Sequence, residues 1–280
     1  MEFRTVVDIT SPDFVIEPEH RILTVGSCFA DHLGRKFCDE AFVVDVNPFG
    51  VMYNPASILH TVERFGEAVD VAIFTLGTNH VYREKATGEI VDNCQKRPQA
   101  LFQEEILSMD VCRDYLKKAI GVLRSSNPQT KIIITVSPIR YAKYGYHDSQ
   151  LSKATLLLAV DSLLRNDDLV RGGGIYYFPA YEIVNDELRD YRFYAPDMLH
   201  PSQQAVDYIW ERFVATVFSD SAREYLCEWK PIKEAFAHRP FNPDSETYRS
   251  FIARTIEQKN NLSDKYPHLK SRKSDVMMLK

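Results

Sequence analysis

Long apolar runs are missing from this chain of 280 residues. None approaches the ~20 consecutive apolar residues that a membrane-spanning helix requires, so a helical membrane protein is excluded. Cysteine is sparse and scattered, with five residues at 28, 38, 94, 112 and 227. The count is odd and no CxxC pair occurs, so neither a disulfide framework nor a zinc site is indicated. Histidines in metal-binding array are lacking too: His32, His60, His80 and His147 sit in unrelated segments. The opening stretch "MEFRTVVDITSPDFVIEP" has neither the basic start nor the apolar core of a secretory signal. With free thiols, that points to a reducing, cytoplasmic setting. Positive charge is not in excess either. The formal net charge is −5, which argues against a nucleic-acid partner.

What is present is ordinary in bulk and specific in detail. With 45% hydrophobic and 26% charged residues, the composition is that of a globular protein. The length suits one large domain or a domain with an appendage. Four segments read as buried strands: "RILTVG" (21–26), "FVVDV" (42–46), "VDVAIFTLG" (69–77) and "KIIITVS" (131–137). A weaker fifth is "GIYYFP" (174–179). Helical periodicity marks 30–38, 55–65, 108–126, 152–164 and 201–218. Strands alternating with helices predict βαβ units, a parallel sheet and a three-layer α/β/α sandwich. The segment "VYREKATGEIV" (81–91) reads as an inserted hairpin. Residues 1–220 are expected to form the core, and 221–280 a helical C-terminal extension ending in a basic tail.

In a parallel sheet, sites form at the C-terminal ends of the strands. Three short blocks stand there: "GSC" (26–28), "NPFG" (47–50) and "LGTN" (76–79). A fourth, "DMLHPS" (197–202), precedes the last core helix. A residue opening a helix has free N–H groups and a positive dipole end beside it, which favours a thiolate and can cradle an oxyanion. The Cys28 amide, Asn79 and Gly50 are the candidate oxyanion donors. Asp197 is three residues from His200 and is positioned to hold its imidazole in one tautomer, leaving the other nitrogen as general base. Pro201 then takes the favoured first helical position.

These blocks, in this order, resemble the SGNH (or GDSL) hydrolase superfamily. "GSCFA" itself, with "TVSPIR" and "YEIVNDELRDYRFYAPDMLHPS", resembles the GSCFA-domain family of that fold. The resemblance implies a flavodoxin-like sandwich that hydrolyses or transfers O-acyl groups. Its triad is a nucleophile, His and Asp, and its oxyanion hole combines the nucleophile's amide, a Gly and an Asn. Laid on the superfamily pattern, Cys28 takes the nucleophile's place, two residues after Gly26. Ser27 takes it only if the turn is one residue shorter. Otherwise Ser27 is an N-cap.

The expected activity is hydrolysis of an O-acyl ester, acetyl above all, on a small or carbohydrate-like substrate. No cofactor is required for it. The alternatives are transfer from an acyl donor such as acyl-CoA, or carbohydrate binding without catalysis. His80 is a candidate substrate contact, or a structural histidine. Arg140 and Tyr144 lie in "SPIRYAKYGYHD" (137–148), read as a long loop that walls the site. Arg192 offers a sugar or anion contact, or simply fixes the loop carrying Asp197.

Overall fold

In the computed structural model, residues 3–92, 94, 97–166 and 172–270 are described. The main sheet has five parallel strands: β1 (Arg21–Gly26), β2 (Val43–Val46), β3 (Val71–Leu76), β7 (Lys131–Val136) and β8 (Ile175–Tyr177). They lie in the order β2-β1-β3-β7-β8. Counted within the sheet this is 2-1-3-4-5, the flavodoxin-like winding. Register is set across the switch between β1 and β3, where Ile22 pairs with Val71 and Gly26 with Thr75.

Both faces of the sheet are covered, which is why its strands read as continuous apolar runs. On one face Ile22, Val71, Ile73 and Ile133 pack with α1 (Cys28–Asp39) and α5 (Gln203–Val217). Phe37 of α1 is the hub there, with its ring centroid 4.9 Å from Trp210 and 5.4 Å from Phe42, both edge-on. On the other face Leu23, Val25, Ala72, Phe74 and Ile134 pack with α2 (Pro55–Phe65), α3 (Met109–Ser126) and α4 (Gly145–Asn166). The architecture is thus a three-layer α/β/α sandwich with a parallel sheet.

The inserted hairpin is present and larger than the sequence suggests. β4 (His80–Glu84) pairs antiparallel with β5 (Ile90–Val91) and also with β6 (Phe102–Ile106). The string "FQEEI" of β6 carries three polar residues, so no apolar pattern announces it. The predicted loop 137–148 is also corrected. A 3₁₀ turn spans Ala142–Tyr144, and α4 already begins at Gly145. The polar start "GYHDSQ" conceals that extension.

The C-terminal extension is helical, with α6 (Asp220–Ala237) and α7 (Glu246–Lys265). Tyr225 donates to the Glu40 carbonyl at 2.8 Å and Trp229 to that of Asp39 at 3.0 Å. Both hydrogen bonds dock α6 on the end of α1. Only residues 265–270 of the basic tail fall within the described part. Among the described residues no helix is long and apolar enough to cross a membrane.

Candidate functional site

The loops after β1 and β3 meet at the sheet's switch point, and two glycines make that approach possible. Gly26 ends β1 with φ +140°, and a Cβ there would collide with the Thr75 carbonyl on β3. A Cβ on Gly77 would meet the Tyr53 carbonyl at 2.9 Å and the Ser27 Cβ at 3.4 Å. The "GSC", "MYNP" and "LGTN" segments are therefore packed backbone to backbone.

Ser27 and Cys28 have separate positions. Ser27 is buried, and its hydroxyl lies 3.0 Å from that of Thr75. It also accepts the Phe29 N–H at 3.2 Å as the N-cap of α1. Cys28 is the first residue of the helix and is partly exposed. Its sulfur lies 3.7 Å from the Tyr53 hydroxyl. No backbone partner takes the Cys28 N–H among the described residues. Asn47 braces the same corner. It accepts the Gly26 N–H at 2.9 Å and donates to Asp31 in the first turn of α1 at 2.6 Å.

The block "DMLHPS" forms a closed turn. Tyr194 and Pro201 bridge, and Ala195 N–H donates to the His200 carbonyl at 2.7 Å. Met198 sits at φ +59°, a strained conformation for a side chain-bearing residue. That turn aims two N–H groups at one carboxylate oxygen: Leu199 at 2.9 Å and His200 at 3.0 Å both donate to Asp197 Oδ1. The other oxygen meets His200 Nδ1 at 2.6 Å. The His200 and Leu199 amides, then the His200 ring, hold the Asp197 carboxyl down at about 2. Nε2 of His200 has no hydrogen-bond partner among the described residues, and no hydrogen bond joins His200 to Cys28. His32 lies one turn after Cys28 on α1. Burial lowers its pKa first, and the positive charges of Arg35 and His200 lower it further.

The other expected residues have distinct positions. The Gly50 amide is not free for an oxyanion, because it donates to the Asn47 carbonyl at 2.8 Å and closes a turn. Asn79 is buried and donates one amide hydrogen to the Leu107 carbonyl at 2.8 Å. Its second hydrogen remains, since an amide nitrogen carries two. His80 is engaged at Nδ1 and on a ring face. Nδ1 is 3.1 Å from Glu104, and the ring stacks on Tyr144 with centroids 3.8 Å apart. Tyr144 in turn stacks on Tyr141. Arg140 buttresses the 197–202 turn, with its N–H on the Leu199 carbonyl at 3.0 Å and Nη1 on that of Met198 at 3.1 Å. It also lines a pocket of about 240 Å³ with Gln150, Asn185, Arg189, Tyr191 and Tyr194. Arg192 is not part of that lining. It lies over Phe193 and pairs loosely with Asp190.

Two side chains at this site escaped the sequence reading. Tyr53 stands three residues after "NPFG", in a stretch with no pattern that marks it. Lys153 sits on the buried stripe of α4, completely enclosed. Its Nζ donates to the carbonyls of Gly77 at 2.7 Å and Ser137 at 2.8 Å, with no carboxylate beside it among the described residues. Burial pulls its pKa down to about 7. Ser152 next to it bonds the Thr78 hydroxyl and the Asn79 N–H, each at 3.0 Å. A signal was legible: "SKATLLLAV" sets a serine and a lysine in line with Leu156 and Val160, where only apolar residues are expected. Among the described residues no cluster of three His, Cys, Asp or Glu side chains could hold a metal ion.

Comparison with known proteins adds the following. The model of the GSCFA family matches residues 21–70 and 60–213, and that of the GSCFA domain protein, C-terminal domain, matches 229–274. No curated protein matches the chain. Among solved structures, a protein from Lactobacillus plantarum is similar at 12% identity, covering 73% of this chain and 100% of its own, with TM-score 0.48. A carbohydrate esterase family 3 protein from Talaromyces cellulolyticus is similar at 12% identity, covering 69% and 93%, with TM-score 0.39. An acetyl esterase mutant with acetate ion is similar at 12% identity, covering 68% and 91%, with TM-score 0.39.

Proposed function

Because the chain belongs to the GSCFA family, we propose that it is an enzyme acting on O-acyl esters, acetyl esters above all, with Cys28 as nucleophile. The observation that carries this reading is the His200–Asp197 pair, locked at 2.6 Å by a turn whose own amides fix the carboxylate. That arrangement sets Nδ1 as the hydrogen donor and leaves Nε2 as the base. Cys28 at the helix start, rather than the buried Ser27 whose hydroxyl caps the helix, supports the thiol as nucleophile.

In the first step Nε2 takes the thiol proton and the sulfur attacks the acyl carbon. The carbonyl electrons move onto oxygen, which the Cys28 amide and Asn79 stabilise. On collapse the C–O bond breaks and His200 returns the proton to the leaving alcohol. A thioester on Cys28 remains. Water activated by His200 hydrolyses it, and a bound alcohol in place of water makes the reaction a transfer. The pocket beside the turn favours an acceptor or substrate rich in hydroxyls, since Arg140, Gln150, Asn185, Tyr191 and Tyr194 all offer polar atoms.

The test is p-nitrophenyl acetate turnover with side-by-side iodoacetamide and fluorophosphonate labelling, read by peptide mass spectrometry. Iodoacetamide on Cys28 with loss of turnover is the expected result. Fluorophosphonate on Ser27 reassigns the nucleophile, and turnover unaffected by either probe refutes the covalent reading. Added polyols or sugars that become acetylated would establish transfer over hydrolysis.

A further inference from the structure

We propose that Tyr53 is a catalytic residue of this site, its hydroxyl donating a hydrogen bond to the oxyanion formed when Cys28 attacks an acyl carbon. The inference rests on the reading of Cys28 as nucleophile. Its geometric basis is direct. The Tyr53 hydroxyl is the hydrogen-bond partner of the Cys28 sulfur, at 3.7 Å. The oxyanion forms on the carbon bonded to that sulfur. A hydroxyl so close to sulfur can come within the roughly 2.7–3.1 Å of the oxygen that a donor needs.

Tyr53 is held rigidly for this task. Its carbonyl accepts the N–H of Gly77 at 2.9 Å and of Thr78 at 2.8 Å. Its backbone is therefore tied to the "LGTN" block that carries Asn79. Its ring meets Tyr141 edge-on, with centroids 5.6 Å apart at 80°. A donor fixed before the reaction needs no reorganisation as charge develops.

The site also lacks a donor that Tyr53 supplies. The Gly50 amide is occupied by the Asn47 carbonyl, and one Asn79 hydrogen by the Leu107 carbonyl. That leaves the Cys28 N–H and the second Asn79 hydrogen, with Tyr53 as the third. The phenol stays protonated near neutral pH, because burial, then the hydrogen bond and charge of Cys28, push its pKa up to about 12. The proton stays on Tyr53 throughout: it strengthens its hydrogen bond as the carbonyl electrons reach oxygen and relaxes when the C–O bond breaks.

The experiment compares wild type with Tyr53→Phe, which keeps the ring and its contact with Tyr141. Three rates are read: acetylation of Cys28 by p-nitrophenyl acetate (burst phase and intact mass), steady-state turnover, and alkylation of Cys28 by iodoacetamide. Alkylation forms no oxyanion. Acetylation is expected to fall on the order of 100-fold, with KM nearly unchanged and alkylation within about threefold of wild type. Unchanged acetylation in Tyr53→Phe overturns the proposal while Cys28 stands. Acetylation and alkylation falling in proportion also overturn it, since Tyr53 then only tunes the thiol. No acetyl group on Cys28 in the wild type refutes the nucleophile reading, and this proposal with it. Thermal melting of the variant, expected within a few degrees of wild type, separates a lost donor from a lost fold.

Discussion

Replacing Lys153 with methionine tests the least usual group in the fold. The side chain is wholly enclosed, its two hydrogen bonds go to neutral carbonyls, and no acid among the described residues faces it. Two acceptors match the two hydrogens of a neutral amine, whereas an ammonium group would carry a third without a partner. The ordinary lysine value is about 10.4, and burial brings it to about 7 in the fold. Between those limits the unfolded chain binds one proton more than the folded one. Stability attributable to this group therefore rises with pH from about 7, by about 1.4 kcal/mol per pH unit, until the unfolded lysine also loses its proton. Below pH 7 both states are protonated and the slope vanishes. Methionine removes that dependence and leaves the Gly77 and Ser137 carbonyls without Nζ, at about 1–3 kcal/mol each. Relief of the buried charge offsets that loss most at low pH. Urea unfolding of both proteins at pH 6.5, 7.5, 8.5 and 9 reads the difference, in which other titrating groups cancel. Wild type should gain about 2–3 kcal/mol over Lys153→Met between pH 7 and 9. A difference that stays flat over this range refutes the enclosed, neutral amine.

Three further outcomes are expected. Asp197→Asn should cut kcat on the order of 10³-fold or more by reversing the hydrogen bond that sets the His200 tautomer. The melting temperature should hardly move, because the carboxylate is solvent-facing; a kcat within tenfold of wild type would sink the pair's assigned role. Gly26→Ala should lower stability by about 3 kcal/mol or more, since its φ of +140° and the Thr75 carbonyl leave no place for a methyl group; chemical denaturation measures it. Ser27→Ala should cost about 1–2 kcal/mol through the lost N-cap yet keep most esterase turnover, and loss of all turnover with the fold intact would return the nucleophile to Ser27.

Much of the site's frame was legible in the linear chain. Strands β1, β3 and β7 are apolar runs ended by glycine or serine, and that pattern is local. "GSC", "LGTN" and "DMLHPS" could be located at strand ends or before a helix for the same reason. Ser27 as N-cap and Asp197 beside His200 both depend on residues within three positions. β6 was not legible, because its pairing with β4, and not its own alternation, makes it a strand. The start of α4 was hidden as well. Ser149 looks like a loop residue until its partner, the Tyr141 N–H, is known.

The sequence by itself determined the alternation of strands and helices, the order of the blocks and the Asp197–His200 spacing. These follow from periodicity, turn chemistry and neighbours a few residues apart. The tertiary structure alone decided which donors are free. The Gly50 amide is committed to Asn47, while the Tyr53 hydroxyl reaches Cys28 from 25 residues away. It also decided that Lys153 closes the strand ends from 76 residues away. A hydrogen-bonding group has a partner or lacks one according to what the fold brings beside it, and no local pattern carries that information.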